Sequence, residues 1–203
     1  MSESSSDIRE KKLVQWLSSI EADCKELYLV GDLFDYWFEY TEVVPKKFLR
    51  FLGKLCHMAD NGVEIHIFTG NHDMWLFNYF QQEIGVTLHK DGIRKIFFGK
   101  QYFIAHGDGL GPGDHTYKII KAVFSNSFMQ WCFHRMHPNF GIKLMKYISR
   151  RGRMNDKPLM EISVPEKEWL VQFANEYIKS NATDYFVFGH RHFPFEYHLT
   201  DSA

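Results

Sequence analysis

The sequence predicts an α/β domain, because short apolar runs of β character alternate with segments of helical periodicity. Two of these runs, ELYLV at 26–30 and EIHIFT at 64–69, are each followed by a glycine and a polar residue. A third observation is a hairpin pattern within 93–105, where two β runs flank Gly99-Lys100. Together these features favour a sheet whose strands are connected largely by helices.

The N-terminal half is predicted to alternate helix and strand. An apolar stripe gives 7–23 the period of an amphipathic helix. A second helix is expected over 46–59, ended by Asn61-Gly62, and a third over 75–83. The β runs therefore lie between helices, which is the order of an α/β domain.

The C-terminal half is predicted to be richer in helix. Helical segments run from 115 to 149, another helix covers 167–180, and a strand follows over 184–188. A last strand is expected at 195–200. The polar stretch 151–165, which contains two prolines, is the one soft boundary.

Composition indicates an ordered protein and gives no electrostatic sign of a nucleic-acid partner. Apolar residues make up 45% of the chain and the net charge is −1, so we expect a single domain over 1–203. Three cysteines, none in a Cys-x-x-Cys pair, indicate a reduced cytosolic protein. The polar start is unlike a signal peptide, and no apolar run reaches the roughly 20 residues that span a bilayer. We therefore expect a soluble or peripheral protein, and infer no obligate protein partner.

Four predicted strands share one feature, since each ends at a glycine beside a polar residue. These strand ends are Gly31-Asp32, Gly70-Asn71, His106-Gly107 and Gly189-His190. In open α/β sheets the functional site forms beyond the carboxyl ends of the strands. We therefore expect the four ends to converge on one pocket.

The side chains at these ends are ligands for divalent metal ions. The Asp32 carboxylate can bridge two cations, Asn71 offers an amide oxygen, and His106, His190 and His192 offer imidazole nitrogens. Such a mixed oxygen and nitrogen set suits Mn²⁺, Zn²⁺ or Fe²⁺. Two such ions can polarise a phosphoryl group and supply hydroxide at neutral pH, as hydrolysis of a phosphate ester requires.

Catalytic candidates lie beside these ligands. His72 is placed to hydrogen-bond the phosphoryl oxygens or to protonate the leaving group. Asp73 or Asp108 is placed to orient a neighbouring imidazole. Four other histidines are expected to be structural, namely His57, His66, His89 and His115.

The motifs themselves match a known pattern. GD-x-x-D at 31–35, GNHD at 70–73, HGD at 106–108 and GH-x-H at 189–192 resemble the calcineurin-like metallophosphoesterases. Within that superfamily, GDLFDYWFEY and HGDGLGPGD are similar to the UDP-2,3-diacylglucosamine hydrolases, and more narrowly to their Bacteroidetes branch. The resemblance implies an α/β/β/α sandwich with a helical cap insertion.

The resemblance also implies roles and a reaction. Asp32 would bridge two divalent metal ions, of which Mn²⁺ is expected, with Asn71, His106 and His190 at the second ion and His192 at the first. Tyr117 aligns with a tyrosine near the substrate. The implied reaction splits the pyrophosphate of a lipid-linked UDP sugar, UDP-2,3-diacylglucosamine, into UMP and lipid X. The implied location is cytoplasmic, peripheral to the inner membrane.

Two departures from the family pattern affect these expectations. The family begins with a strand ending in Asp-x-His, which supplies two ligands of the first metal, and this sequence has no such segment. The family also continues with further strands beyond GH-x-H. The expected sandwich is therefore truncated at both ends, and its first metal site is incomplete.

The segment 115–160, the expected cap insertion, has a distinct composition. From 115 to 153 it contains no acidic residue, while basic and aromatic residues alternate. Basic helices with a large apolar face suit an anionic membrane surface or an acylated, phosphorylated substrate. The alternative is a helical subdomain that packs on the core and turns a solvated basic side outwards.

Three functions stay open on the sequence alone. The first is the lipid-pathway pyrophosphatase. The second is another calcineurin-like enzyme, such as a nuclease, a nucleotide phosphodiesterase or a phosphoprotein phosphatase. The third is a catalytically impaired fragment or scaffold that lacks the Asp-x-His ligands.

Overall fold

The computed structural model of the chain describes residues 3–112, 115–155, 165–191 and 194–199. The helices in these ranges are α1 Glu3–Ile20, α2 Leu49–Asp60, α3 Tyr79–Ile84, α4 His115–Phe124, α5 Ser127–His134, α6 Pro138–Asn155 and α7 Trp169–Tyr177. The strands are β1 Glu26–Leu29, β2 Glu64–Phe68, β3 Thr87–His89, β4 Ile93–Phe97, β5 Lys100–Ala105 and β6 Tyr185–Phe188. The α/β class that the sequence predicts is confirmed.

The described strands form two sheets of three. In the first sheet β1, β2 and β3 lie side by side in that order and are all parallel. In the second sheet β4 and β5 form an antiparallel hairpin, and β6 pairs with β5 in parallel. Consequently β1 and β2 end at one edge of their sheet, and β5 and β6 end together at an edge of theirs.

Helices α1 and α2 cover the outer face of the first sheet. Alternate residues of β1 and β2 face these helices, following the period of two of an extended strand. The resulting core is fully apolar and contains Leu17, Leu27, Leu29, Phe51, Leu55, Ile65 and Ile67. Burial of this apolar surface is the main stabilising contribution at this side of the domain.

The inner face of the first sheet meets the second sheet. The ring of Tyr28 on β1 packs edge-on against Phe97 of β4, with 5.7 Å between centroids. On the far side of the second sheet, Phe103 contacts Phe173 and Tyr177 of α7. The layers therefore run from helices to sheet, to sheet and to helix.

Helix α2 begins later than the predicted residue 46. Phe48 has a left-handed backbone with φ of +68°, which is incompatible with helix continuation. The first turn is instead capped from α1, where Glu10 accepts the backbone N–H groups of Arg50 and Phe51 at 2.9 and 3.2 Å.

The helix predicted over 75–83 is also shorter than expected and begins only at Tyr79. The carboxylate of Glu39 accepts the backbone N–H groups of Phe77, Asn78 and Tyr79 at 2.9–3.0 Å. These bonds hold the preceding residues as a loop and cap the start of α3. The helical prediction over 75–78 was wrong for this reason.

The hairpin is confirmed, but its turn lies one residue earlier than predicted. Phe98 and Gly99 both have positive φ, +51° and +76°, as the tightest hairpin turns require. Strand β3 was not predicted, because three residues between Gly85 and β4 give too short a periodic signal. The strand predicted at 195–200 was wrong, since 195–199 carry no strand, and Thr200 lies outside the described residues.

The segment 115–149 is helical, as predicted, and forms α4, α5 and most of α6. Residues 156–160 of the expected insertion lie outside the described ranges. In the part of the chain that is described, no helix is both long enough and apolar enough to cross a bilayer.

Candidate metal and active site

The four motif ends meet at one edge of the domain. Asp32 and Asn71 follow the parallel neighbours β1 and β2, while His106 and Gly189 follow the parallel neighbours β5 and β6. The N–H of Gly189 donates to the carbonyl of His106 at 3.0 Å, which extends the β5–β6 pairing into the site. The predicted convergence of Asp32, Asn71, His106 and His190 is therefore present.

Glycines at these ends are required by close approach of the loops. A Cβ on Gly31 would collide with the imidazole of His106, and one on Gly70 would collide with the carboxylate and backbone nitrogen of Asp32. A Cβ on Gly189 would lie 2.7 Å from the carbonyl oxygen of Val30. Gly31 and Gly70 thus let candidate ligands from other strands pack against the backbone, and Gly189 lets two strand ends approach closely.

Two of the candidate ligand residues adopt strained backbones. Asp32 and His190 have φ values of +53° and +62°, in the left-handed region that non-glycine residues rarely enter. This conformation costs roughly 1–2 kcal/mol per residue. Such strain is concentrated at functional sites, where the surrounding structure holds it in place.

The orientation of the His106 ring is compatible with metal coordination. Its Nδ1–H donates to the carbonyl of Val30 at 2.8 Å, so Nε2 carries the lone pair when the ring is neutral. Nε2 lies 3.4 Å from Oδ2 of Asp32 and 3.3 Å from Oδ1 of Asn71. The lone pair on Nε2 faces these two oxygen acceptors, an arrangement that a cation or a proton between them would stabilise. A backbone carbonyl on the other ring nitrogen, as here on Nδ1, is a usual partner of a ligating histidine.

The electrostatics of the centre favour an ionised Asp32. Burial alone would raise its pKa, but the hydrogen bond and charge of His106, with the N–H of His72 at 2.9 Å, lower the pKa to about 2. Burial tends to lower the pKa of His106, and Asp32 reverses that effect and raises it. Burial and the charge of His106 lower the pKa of His190.

Asn71 joins the two imidazoles. Its Oδ1 lies 2.9 Å from Nδ1 of His190 and 3.3 Å from Nε2 of His106. Ligand atoms of Asp32, His106 and His190 all lie within 4.8 Å of one another, close enough to share an ion. One carboxylate, one amide and two imidazoles form the mixed donor set that Mn²⁺ and Zn²⁺ accept, so these residues fit a divalent metal ion.

Asp73 is fully buried, and its carboxylate ties the first two strand ends together. It accepts the backbone N–H of Gly70 at 2.7 Å, of Leu33 at 2.8 Å, of Asp32 at 3.3 Å and of Phe34 at 3.4 Å. Burial and the charge of Asp32 raise its pKa to about 6. Its described contacts are to the backbone of the loops rather than to an imidazole.

Two ion pairs that the sequence analysis missed hold the other two strand ends. Lys121 of α4 pairs with Asp108 at 2.6 Å, and Arg191 pairs with the buried Glu168 at 3.0 Å. The Asp108 pair joins the HGD motif to the first helix of the insertion. These two ion pairs could not be predicted from the sequence, because a lysine on a basic helix does not indicate which acidic residue it will pair with.

An aromatic cluster seats the insertion beside the site. Phe38 follows β1, Trp75 follows β2, and Phe133 belongs to α5, and these three side chains are buried against one another. The centroids of Trp75 and Phe133 are 4.7 Å apart, and those of Phe38 and Phe133 are 4.6 Å apart. The face of α5 that carries Phe133 therefore packs on the core, as the alternative interpretation of the insertion predicts.

Two predicted site residues cannot be placed. His192 lies outside the described residues. Tyr117 belongs to α4, but its side chain lies outside the part that the structure describes. Their roles stay predictions.

The fold and the site define an α/β protein with a candidate centre for divalent metal ions at its strand ends. The chain belongs to the family of the UDP-2,3-diacylglucosamine hydrolases. It is 37% identical over 205 residues to the UDP-2,3-diacylglucosamine hydrolase of Porphyromonas gingivalis, covering 95% of this chain and 78% of that protein. The resemblance predicted from the motifs is thereby confirmed.

More distant relatives carry the same name. The UDP-2,3-diacylglucosamine hydrolase of Edwardsiella ictaluri is 25% identical over 188 residues, covering 92% of this chain and 71% of that protein. That of Vibrio vulnificus is 26% identical over 188 residues, covering 92% and 75%. No family model matches the chain.

Proposed function

We propose that the chain is a metal-dependent hydrolase that splits the pyrophosphate of UDP-2,3-diacylglucosamine into UMP and lipid X. The observation that carries this proposal is the meeting of Asp32, Asn71, His106 and His190 at one edge of the domain, beside a basic and aromatic insertion. The family to which the chain belongs supports the substrate.

The ligand residues are assigned as follows. Asp32, Asn71, His106 and His190 hold a divalent ion, and His192 belongs to a second one. Two such ions, with Mn²⁺ expected, would polarise the phosphoryl group and activate water when bound. The ionised Asp32 and the fixed tautomer of His106 keep both side chains ready to act as ligands.

His72 and Asp73 have different roles in this proposal. The backbone N–H of His72 donates to Asp32, and this contact supports a role for His72 beside the proposed metal centre. Its imidazole protonates the leaving group or hydrogen-bonds the phosphoryl oxygens. Asp73 is a positioning residue, because its carboxylate holds the two loops that carry Asp32 and Asn71.

The insertion is proposed to take the acyl chains and to contact the membrane surface. Its helices expose large apolar side chains, namely Ile119, Phe128, Trp131, Phe140 and Tyr147. Basic residues are interleaved with them along the sequence, and no acidic residue lies from 115 to 153. Such a surface suits acyl chains with phosphate groups and an anionic bilayer, so we place the protein peripherally on the cytoplasmic side of the inner membrane, with Tyr117 near the substrate.

A comparison of two substrates tests the proposal. UMP release from the diacylated UDP sugar and hydrolysis of an aryl phosphodiester are measured with Mn²⁺ present. We expect the lipid substrate to be turned over with the higher kcat/KM. Equal or faster turnover of the aryl ester would instead indicate another phosphoesterase of the superfamily, and absence of both activities in metal-loaded protein would contradict hydrolysis altogether.

Matched histidine variants separate the roles. His106→Ala is expected to remove metal and activity together, because this side chain contacts both Asp32 and Asn71. His72→Ala is expected to lower kcat while metal content stays nearly unchanged. His57→Ala, an exposed histidine on α2, is the control and should change neither. Loss of metal in His72→Ala would show that the division between ligand and acid is wrong.

A further inference from the structure

A second group of ligand side chains lies away from the strand-end centre, at the opening residues of the first two strands. Glu26 and Glu64 begin β1 and β2 and face each other in the parallel register. His66 follows Glu64 on the same face of β2, two positions along. Ligand atoms of these three residues lie within 4.8 Å of one another.

His66 is the buried member of this group. Its side chain is only 9% exposed, and its Nε2 is buried without a hydrogen-bond partner. Nε2 points towards Glu26, whose Oε2 lies 3.9 Å away, beyond hydrogen-bond distance. A buried polar atom without a partner costs roughly 1–3 kcal/mol of folding free energy. A cation bound between Nε2 and the carboxylates would remove this cost.

The other ring nitrogen of His66 fixes this arrangement. Nδ1 of His66 lies 3.0 Å from Nε2 of His89 on β3. With a proton on Nδ1 donated to His89, Nε2 of His66 presents its lone pair to Glu26 and Glu64. Burial, followed by the charge of Lys95, lowers the pKa of His66, which favours this neutral ring. A hydrogen-bonded partner on the second nitrogen is the typical support of a ligating histidine.

The negative charges of Glu26 and Glu64 also favour a bound cation. Like charges directly opposite each other on adjacent strands are destabilising. Tyr28 donates its hydroxyl to Glu26, and Lys95 of β4 approaches the same carboxylate at 3.6 Å, so part of the charge is already balanced. A divalent ion between Glu26 and Glu64 would balance the rest while taking the lone pair of His66.

We propose that Glu26, Glu64 and His66 bind a divalent transition-metal ion, Zn²⁺ by the chemistry of the set, at a site distinct from the strand-end centre. Two carboxylate oxygens and one imidazole nitrogen leave a fourth tetrahedral position for water. The ion joins β1 to β2 near β4 and so stabilises the contact between the two sheets. The proposal is independent of the proposed function.

Zinc content of the purified full chain tests the site. The chain is stripped with a chelator, equilibrated with Zn²⁺ and dialysed, and its bound zinc is measured by mass spectrometry. Glu64→Gln removes one ligand with little change in shape, and Glu83→Gln, exposed on α3, is the matched control. We expect Glu64→Gln to bind one zinc fewer per chain than the parent and than Glu83→Gln.

Thermal unfolding keeps the test independent of folding defects. Chelated Glu64→Gln should unfold at the same temperature as the chelated parent or higher, because one of two facing charges is removed. Zn²⁺ should raise the Tm of the parent more than that of the variant. Equal zinc content and equal Zn²⁺-dependent shifts in the two proteins would overturn the proposal. The strand-end centre is monitored separately through His106→Ala, which should keep the zinc that Glu64→Gln loses.

Discussion

The indole N–H of Trp75 donates to the backbone carbonyl of Phe124 at 2.7 Å, and the two rings stack with centroids 5.2 Å apart. Trp75 lies in the loop after β2, shortly beyond Asn71, whereas Phe124 ends the first helix of the insertion. One side chain therefore links the candidate metal-binding loop to the helices that carry the exposed aromatic surface. The position of these helices is coupled to the site through this contact.

Trp75→Phe should loosen that coupling. It keeps an aromatic ring but removes the N–H, so we expect the free energy of unfolding to fall by about 1 kcal/mol. If the insertion holds the acyl chains, KM for the diacylated UDP sugar should rise about fivefold, the factor that matches 1 kcal/mol. Hydrolysis of an aryl phosphodiester should be unaffected.

Urea unfolding and steady-state kinetics on both substrates measure these effects. Trp16→Phe is the control, because Trp16 on α1 is half exposed and remote from the insertion. An equal loss of activity on both substrates would contradict a specific role of the insertion in lipid binding.

Glu39→Gln should destabilise the loop between β2 and α3. The carboxylate accepts three consecutive backbone N–H groups and also the indole N–H of Trp37 at 3.3 Å. Because an amide offers one acceptor oxygen and no charge to the start of α3, we expect a loss of about 1–2 kcal/mol in unfolding free energy. Chemical denaturation measures the loss.

Glu42→Gln serves as the control for this substitution, since Glu42 is exposed and lies, like Glu39, in the segment between β1 and α2. Its unfolding midpoint should match that of the parent. A Glu39→Gln midpoint equal to the parent value would mean that water caps the loop as well as Glu39 does.

Asp73→Asn distinguishes a positioning role from a catalytic one. Four backbone N–H groups would lose a charged acceptor, and each such bond contributes about 1.5–3 kcal/mol. Asparagine keeps one acceptor oxygen and turns an NH2 donor towards two of the four backbone N–H groups, which lose their acceptor. Because buried donors without an acceptor are costly, we expect the unfolding free energy to fall by about 2 kcal/mol and metal content to fall with it. A residue that acts only in the chemical step would leave both unchanged.

The exposed Asp91 provides the matched control through Asp91→Asn. Metal analysis and urea unfolding of the two variants should differ clearly. Unchanged stability and metal content in Asp73→Asn, with kcat reduced, would return Asp73 to a catalytic role.

The strand ends were predictable from sequence because each is a local signal, an apolar run stopped by a glycine and a ligand. The sequence alone therefore identified the four residues that lie close together in the structure, namely Asp32, Asn71, His106 and His190. The family was predictable for the same reason, since its motifs are contiguous.

Contacts between distant segments were not predictable. Glu39 shortens α3 and Glu10 caps α2 across about 40 positions of sequence, and no local pattern announces such a partner. Strand β3 was missed because three residues give no period, and its existence depends on pairing with β2. His66 was expected to be structural, and only the pairing of β1 with β2, which sets Glu26 opposite Glu64, brings two carboxylates close to its ring.

Two glycine substitutions should have opposite effects, although each adds only a methyl group. Gly53 lies within α2 with no atom near the position of an added Cβ, so Gly53→Ala should raise the free energy of unfolding by about 0.5–1 kcal/mol through the helix preference of alanine. At Gly70 the methyl would collide with the carboxylate and backbone nitrogen of Asp32. Gly70→Ala should therefore displace Asp32 and lower metal content and activity even where the fold survives. Urea unfolding with metal analysis measures both, and full metal binding by Gly70→Ala would mean that the two loops do not approach as closely as the strand-end site requires.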